Sequence, residues 1–369
     1  MTDNKDDIEN ELEGLDTTAS GGWGEYPLDT VFVRTETRSV NEVVERIRKD
    51  RYKLDPDFQR DFVWPLDKQS RLIESSLMRI PLPVFYVAED KDGRIIVVDG
   101  LQRLTTFFRY IENTFSLKGL ESADTENHIS GKKFCELPLK LQERIEDTQL
   151  TLYILDSKAP ERARLDIFDR VNSGVPLTRQ QMRNCLYSGK ATAWLKEAAQ
   201  SKEFLNATGN ALQKKSMRDR EVINRFCAFY LLGYQSYRAD MEDFLAKALK
   251  EMNKMSDGDL EVMMVAFLGS MKLNNEIFKS HAFRKSLSEG NSNVARTVIN
   301  VSLFDVLSVS FSRNSELIAN NKEKIIGNIR ELFWSIEFTH SISYSTNSSK
   351  QVRTRFELMG DAINGVWLC

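Results

Sequence analysis

An α+β protein is what the sequence predicts: a mixed strand-and-helix part followed by a part built of helices. Two observations predict it. Short apolar runs bounded by turn residues (VFVRT, PVFYV, RIIVVDG and LTLYILD) all fall before about residue 160. Beyond Pro160, apolar residues recur at i, i+3 and i+4 in stretch after stretch, while strand-like runs are scarce. The expected organisation is an acidic disordered tail over 1–24, an α/β domain over 25–159 and a helical domain over 160–369.

The elements follow in order. Residues 1 to 24 carry seven acidic side chains against Lys5 alone and end in SGGWG, so low hydrophobicity and like charge predict disorder. VFVRT from Val31 is a strand. Ser39-Val-Asn-Glu42 has the capping-box spacing that opens a helix, here running to about Lys49. LDPDFQRDFVWP (54–65) is extended, and LDKQSRLIESSLM places Leu72, Ile73, Leu77 and Met78 on one helical face, stopped by Pro81 and Pro83. PVFYVAEDKDGRIIVVDG is a hairpin around a DKDG turn. After a polar loop (about 118–134), PLKLQERIED is a helix and LTLYILD a buried strand. ERARLDIFDRVNSG, LTRQQMRNCLYSG, REVINRFCAFYLLGY, MEDFLAKALKEM, LEVMMVAFLGSMKL and KEKIIGNIRELFWSI supply the later helices.

Composition narrows the function classes. The net charge of −3, from 51 basic and 54 acidic residues, provides no overall basic field for nucleic acid, although it leaves room for a local patch. Cys135, Cys185, Cys227 and Cys369 are far apart, with neither CxxC pairs nor closely spaced histidines, so neither a disulfide framework nor a zinc site is expected. No window approaches the roughly 18 apolar residues of a membrane span, and the N-terminus lacks the form of a signal peptide. A soluble, cytoplasmic protein is expected.

The stretch that points to chemistry is VVDGLQRLTTFF (97–108), where a strand meets a helix at Asp99-Gly100. At roughly 100° per residue, Leu101, Leu104, Phe107, Phe108 and Ile111 share one side, and Gln102, Arg103 and Thr106 the other. A helix N-terminus offers unpaired N–H groups and partial positive charge to an anion, and the glycine lets backbone approach it. In that reading Arg103 grips phosphate bidentately, Thr105 or Thr106 adds a hydroxyl, Asp99 holds Mg²⁺ or orients water, and Gln102 positions a nucleophilic water. The competing reading is a capped turn with a solvated arginine.

Two further stretches are candidates for the same pocket. FQRDFVW sets Gln59, Arg60 and Trp64 on an extended segment, as a second wall or as a core aromatic pair with a structural arginine. IFDRVNSGVPLT carries Arg170, Asn172 and Gly174 where one helix ends, with helix capping as the simpler explanation. Weaker basic clusters, KKSMRDR (Lys214, Lys215, Arg218) and KQVRTRF (Arg353, Arg355), are candidate contacts to a DNA backbone.

In this order, FQRDFVW, IIVVDGLQRLTT and IFDRVNSGVPLTRQQMRN closely resemble the N-terminal domain family of GmrSD-type modification-dependent restriction enzymes, within the ParB/sulfiredoxin-like superfamily. The resemblance spans roughly residues 30 to 235. It implies a ParB/sulfiredoxin-like domain with a helical extension, and a pocket that binds and often hydrolyses a nucleoside triphosphate in phage defence. The family's Asp-Gly-x-Gln-Arg motif falls on Asp99, Gly100, Gln102 and Arg103, its upstream Gln-Arg on Gln59 and Arg60, and its Arg-x-Asn-x-Gly on Arg170, Asn172 and Gly174. Leu101 stands where the family often has a polar residue. Full-length enzymes of this type also carry an HNH nuclease, but His128, His281 and His340 lack its setting. The expectation is therefore an NTP- and Mg²⁺-dependent regulatory or sensor module acting on DNA, with a nuclease subunit in trans and homo-oligomerisation as further options. Two alternatives stand beside it: a ParB-like DNA-binding or scaffold protein without catalysis, and a nickase using the same motif.

Overall fold

The computed structural model describes residues 12–14, 33–53, 64–89, 92–119, 129–159, 163–164, 166–167, 178–214, 216–289 and 295–365. The chain divides into two compact units, one comprising Ala19–Leu186 and the other Met1–Thr18 with Tyr187–Cys369. The division falls after Leu186 and not near residue 160, because helix Arg179–Leu186 packs against the strand Ile95–Asp99.

The first unit is built on a mixed five-stranded sheet. Its strands, in spatial order, are Val33–Ser39, Gln149–Leu155, Phe85–Glu89, Ile95–Asp99 and Tyr52–Lys53. The two strands of the expected hairpin are present: Phe85–Glu89 and Ile95–Asp99 pair antiparallel, with Val87 opposite Val97. At the hairpin's open end Tyr86 lies opposite Asp99, so the pairing skips Val98 and the strand carries a bulge one residue before the candidate site. Gln149–Leu155 runs parallel to Phe85–Glu89 and antiparallel to Val33–Ser39.

Helices Val40–Arg48, Leu66–Leu77, Leu101–Ile111 and Leu139–Glu146 pack on one another. They share a core with Phe85, Val87, Val97, Leu152 and Ile154 of the sheet. Ile95 through Val98 are all buried, the sign of a central strand covered on both faces. Ser39 caps the first helix as its spacing predicts, its hydroxyl accepting from the Glu42 N–H at 3.2 Å. In the second helix Leu72, Ile73 and Leu77 are buried, but Met78 is 65% exposed. It is the residue that ends the helix, and Arg79 beyond it turns at φ 58°, which takes Met78 off the apolar stripe.

The other unit is helical. Its helices are Lys190–Gln200, Lys202–Thr208, Arg218–Leu232, Met241–Lys254, Asp257–Phe278, Val301–Arg313, Ser315–Asn320, Lys322–Leu332, Ile336–Ser341 and Ser349–Asn364. Val301–Arg313 is central, with every residue from Val301 to Phe311 buried. Asp305 within it is fully buried, and it accepts from Arg225 Nε at 2.9 Å and Nη2 at 2.6 Å and from Arg355 Nη2 at 3.1 Å. Burial works against both guanidinium charges. For Arg225 the paired Asp305 outweighs it and the pKa rises, whereas Arg355 is pulled down to about 10.

Arg355 therefore cannot serve as a DNA contact as expected: its side chain is enclosed, donating to the Thr346 carbonyl at 2.6 Å besides Asp305. Part of the N-terminal acidic segment also departs from expectation. Leu12–Glu13 is a short strand, parallel to Ile299–Asn300, and Glu13 pairs with Lys285 at 2.5 Å. Backbone pairing and an ion pair order this piece despite its acidic neighbours. Among the described residues no helix is long and apolar enough to cross a membrane.

Candidate functional site

The turn at Asp99-Gly100 is set by sterics. Gly100 is the N-cap of helix Leu101–Ile111 at φ 96°, ψ 7°, a conformation that L side chains rarely adopt. A Cβ there would lie 2.3 Å from Cδ1 of Phe85, whose ring is fully buried. The close approach that requires glycine is thus to an aromatic ring of the core.

That ring is one side of a clamp. The Arg103 guanidinium carbon lies 4.2 Å from the Phe85 ring centroid. Its Nη2 donates to Asp99 Oδ2 at 3.0 Å and to the Val84 carbonyl at 3.1 Å, and its Nη1 donates to the Pro83 carbonyl. Arg103 is only 8% exposed, and burial lowers its pKa against the opposing pull of Asp99. A solvent-facing arginine gripping phosphate is not what this geometry presents. The guanidinium ties the first turn of the helix to the irregular PLPV segment, whose carbonyls no strand partner takes up until Phe85.

Thr106 is a second correction, being 2% exposed with its hydroxyl donating to the Gln102 carbonyl at 2.7 Å. The helix is covered on more than its apolar side, since helices Val40–Arg48 and Leu66–Leu77 both pack against it. Of the polar first turns, Asp99, Gln102 and Thr105 keep partial exposure, the Asp99 side chain 38%. No side chain caps the N–H groups at this terminus.

Gln102 is held from the other direction. Its Oε1 accepts from the Trp64 backbone N–H at 3.0 Å. The Trp64 carbonyl accepts from Gln69 Nε2 at 2.5 Å, and Gln69 Oε1 accepts from Arg109 Nη1 at 3.2 Å. Because an N–H must meet an oxygen, this chain of bonds fixes the Gln102 amide and presents its Nε2 as a donor. The end of the FQRDFVW stretch is thereby fastened to the DGLQR helix, bringing Trp64 and Gln102 together as two parts of one locale.

Gln59, Arg60, Arg170, Asn172, Gly174 and Lys215 lie outside the described residues, as does His128. Lys214 and Arg353 are exposed and Arg218 is half-buried, all three in the helical unit. His281 is in a short 3₁₀ turn bonded to Ser286, and His340 is in helix Ile336–Ser341 beside Tyr344, so neither stands in a ββα nuclease setting.

One cluster escaped the sequence reading. Helix Arg179–Leu186 buries Gln180, Arg183 and Asn184, with Gln180 Nε2 donating to Asn184 Oδ1 at 2.9 Å and Arg183 donating to Gln180 Oε1. The signal was present in TRQQMRN, where three polar side chains recur at i, i+3 and i+4 on the face that also carries buried residues.

Comparison with known proteins found one family. Residues 40–188 match the family model described as GmrSD restriction endonuclease, N-terminal domain. The resemblance is thus shown over residues 40–188, which leave out the strand Val33–Ser39, and it relates the chain to restriction systems. The match ends within two residues of the division after Leu186. No curated protein matches the chain.

Proposed function

We propose that this chain, whose residues 40–188 carry a GmrSD-type N-terminal domain, is a nucleotide-binding and nucleotide-hydrolysing regulatory module of a restriction system acting on DNA. The observation that carries the reading is the Asp99 carboxylate, steadied by Arg103 and partly exposed beside an uncapped helix N-terminus, with Gln102 and Thr105 on the same first turns. A phosphate bound at this helix terminus would be repelled by the Asp99 carboxylate, and a divalent cation held by Asp99 would offset that repulsion. Mg²⁺ on Asp99 would complete its oxygen shell with phosphate oxygens and water, as this ion commonly does.

The residues then divide the work. The backbone N–H groups of the first turn and the Thr105 hydroxyl hold phosphate oxygens. Gln102, with its Oε1 committed to Trp64, donates from Nε2 to a phosphate oxygen or a water and does not act as a base. Arg103 is a positioning residue that orients Asp99. Gln59, Arg60, Arg170 and Asn172 are further walls of the pocket on the strength of the motif resemblance, and a nuclease subunit in trans would read its state.

Calorimetric titration of the full chain with each of the four NTPs, with and without Mg²⁺, tests the reading. Binding is expected to weaken at least tenfold, about 1.4 kcal/mol, without the metal. Asp99→Asn should lose that metal dependence, and Gln102→Ala should weaken binding by a similar factor. NTP release of phosphate should follow the same order. Absence of binding to every NTP at about 1 mM protein, against the −4 kcal/mol this represents, would overturn the proposal.

A further inference from the structure

Helix Asp257–Phe278, at 22 residues about 33 Å long, buries only part of its circumference. Met263, Phe267, Ser270, Met271 and Asn274 face helices Lys202–Thr208 and Val301–Arg313. On the opposite side Val262 is 66% and Val265 67% exposed, Gly269 has open space where a Cβ would stand, and Leu273 is half-buried. These positions, spaced by three, four and four residues, make a continuous apolar stripe along the helix, the spacing of a helix–helix seam. Glu261 and Lys272, both exposed, flank this stripe on the same side. The outer charges are already neutralised within the chain, Asp257 by Lys190 at 2.6 Å and Glu276 by Lys322 at 3.4 Å.

We propose that this stripe is a dimer interface occupied by the same helix of a second copy of the chain, packed antiparallel about a two-fold axis between Ala266 and Phe267. The charges select that occupant and direction. In an antiparallel pair like flanks face each other, so Glu261 of each copy stands level with Lys272 of the other, giving two identical ion pairs. A parallel pair would set each of these flanks against the partner's other flank and leave Glu261 and Lys272 without each other. Gly269 permits close approach of the two backbones, Val262 and Val265 leave water together, and Asp257 and Glu276, which come level with each other, are screened by their own lysines.

Sedimentation velocity on the full chain over roughly 1–100 µM tests the proposal, a contact confined to one helix pair being at the small end of interfaces and hence of micromolar strength. The wild type is expected to dimerise in that range. Val265→Asp should weaken the dimer more than about hundredfold by placing a carboxylate in the seam, with circular dichroism unchanged, and melting unchanged at concentrations where the wild type is monomeric, because the position is exposed in the monomer. Glu261→Lys and Lys272→Glu should each weaken it about tenfold, and the double reversal should return it to within about threefold of wild type. A monomer throughout the range, or a double reversal no better than either single one, overturns the proposal. A dimer that ignores Val265→Asp but is lost in Trp334→Ala also overturns it, moving the contact to the other exposed apolar surface around Trp334 and Ile336.

Discussion

Replacing Arg103 by alanine separates a clamp from a phosphate grip. In the structure the guanidinium serves two backbone carbonyls, one carboxylate and one ring. Losing a charged donor costs about 1.5–3 kcal/mol for each carbonyl, and stacking on a ring adds about 1 kcal/mol. The ion pair to Asp99, whose side chain is more than a third exposed, adds only about 0.5 kcal/mol after solvent screening. Against these stands the recovered cost of burying a guanidinium, which leaves a net loss of about 2–4 kcal/mol. Hydrogen exchange of the amides in Leu101–Ile111 reads this locally and does not require the two compact units to unfold together. Exchange there should speed up roughly 30- to 700-fold, at a factor of ten per 1.4 kcal/mol. Asp99→Asn, which removes only the carboxylate charge, should change it less than about fivefold. If Arg103→Ala left exchange within threefold of wild type while abolishing nucleotide binding, the arginine would be a ligand residue and the clamp argument would fail.

Gly100→Ala should cost about 3 kcal/mol, from the left-handed backbone and from displacing the Phe85 ring, and a melting temperature lowered by less than 1 °C would refute the steric account. Asp305→Ala leaves two buried guanidinium groups unbalanced and should destabilise the helical unit by about 3–5 kcal/mol. Adding Arg355→Met should recover part of that in thermal melting, and no recovery would argue against charge as the cause. Asp219 is buried, and burial lifts its pKa from 3.8 to about 6. The folded state therefore binds a proton that the unfolded state has lost between those values, so its ionisation costs stability as pH rises through that window. The full cost is present above about pH 6 and absent below about pH 4. Asp219→Asn keeps the oxygen that accepts the Arg220 N–H, so it should raise the melting temperature at pH 8 and change it little at pH 4.

Much of the first unit was legible because its signals are local. Ser39 and Glu42 set a cap within four residues, the two hairpin strands lie only a few residues apart in sequence, and Leu101, Leu104, Phe107 and Ile111 repeat at helical spacing. The inward fate of Arg103 and Thr106 was not local. It depends on helices Val40–Arg48 and Leu66–Leu77 covering further sides of the third helix, and on two carbonyls of a proline-bearing segment some twenty residues upstream. A periodicity argument assigns a polar face to water by default, and it fails where folded backbone offers acceptors that water would otherwise satisfy. Arg355 failed in the same way, read as an outward basic residue beside Arg353. A lone Asp305 in the apolar run VSLFDVLSVSF was the signal, since a buried carboxylate needs a cationic partner from elsewhere in the chain. The helices Val301–Arg313 and Ser349–Asn364 escaped notice because burial all round the first and mixed polarity in the second blur the amphipathic pattern.

The pairing of Leu12–Glu13 with Ile299–Asn300 puts an early segment and a late one in the same ladder. At roughly 5–20 residues per second, the ribosome delivers the second partner about a quarter of a minute to a minute after the first. In the later part of that interval, once residue 186 has been made, the sheet unit has its whole sequence available and can fold, while the helical unit waits for material from both sides of it. The sheet unit is thus inserted in a host that closes last, and the early strand is a peptide ligand made in advance for a surface not yet synthesised. Timing of translation through residues 187 to 300 then governs how long that acidic peptide remains open to other partners.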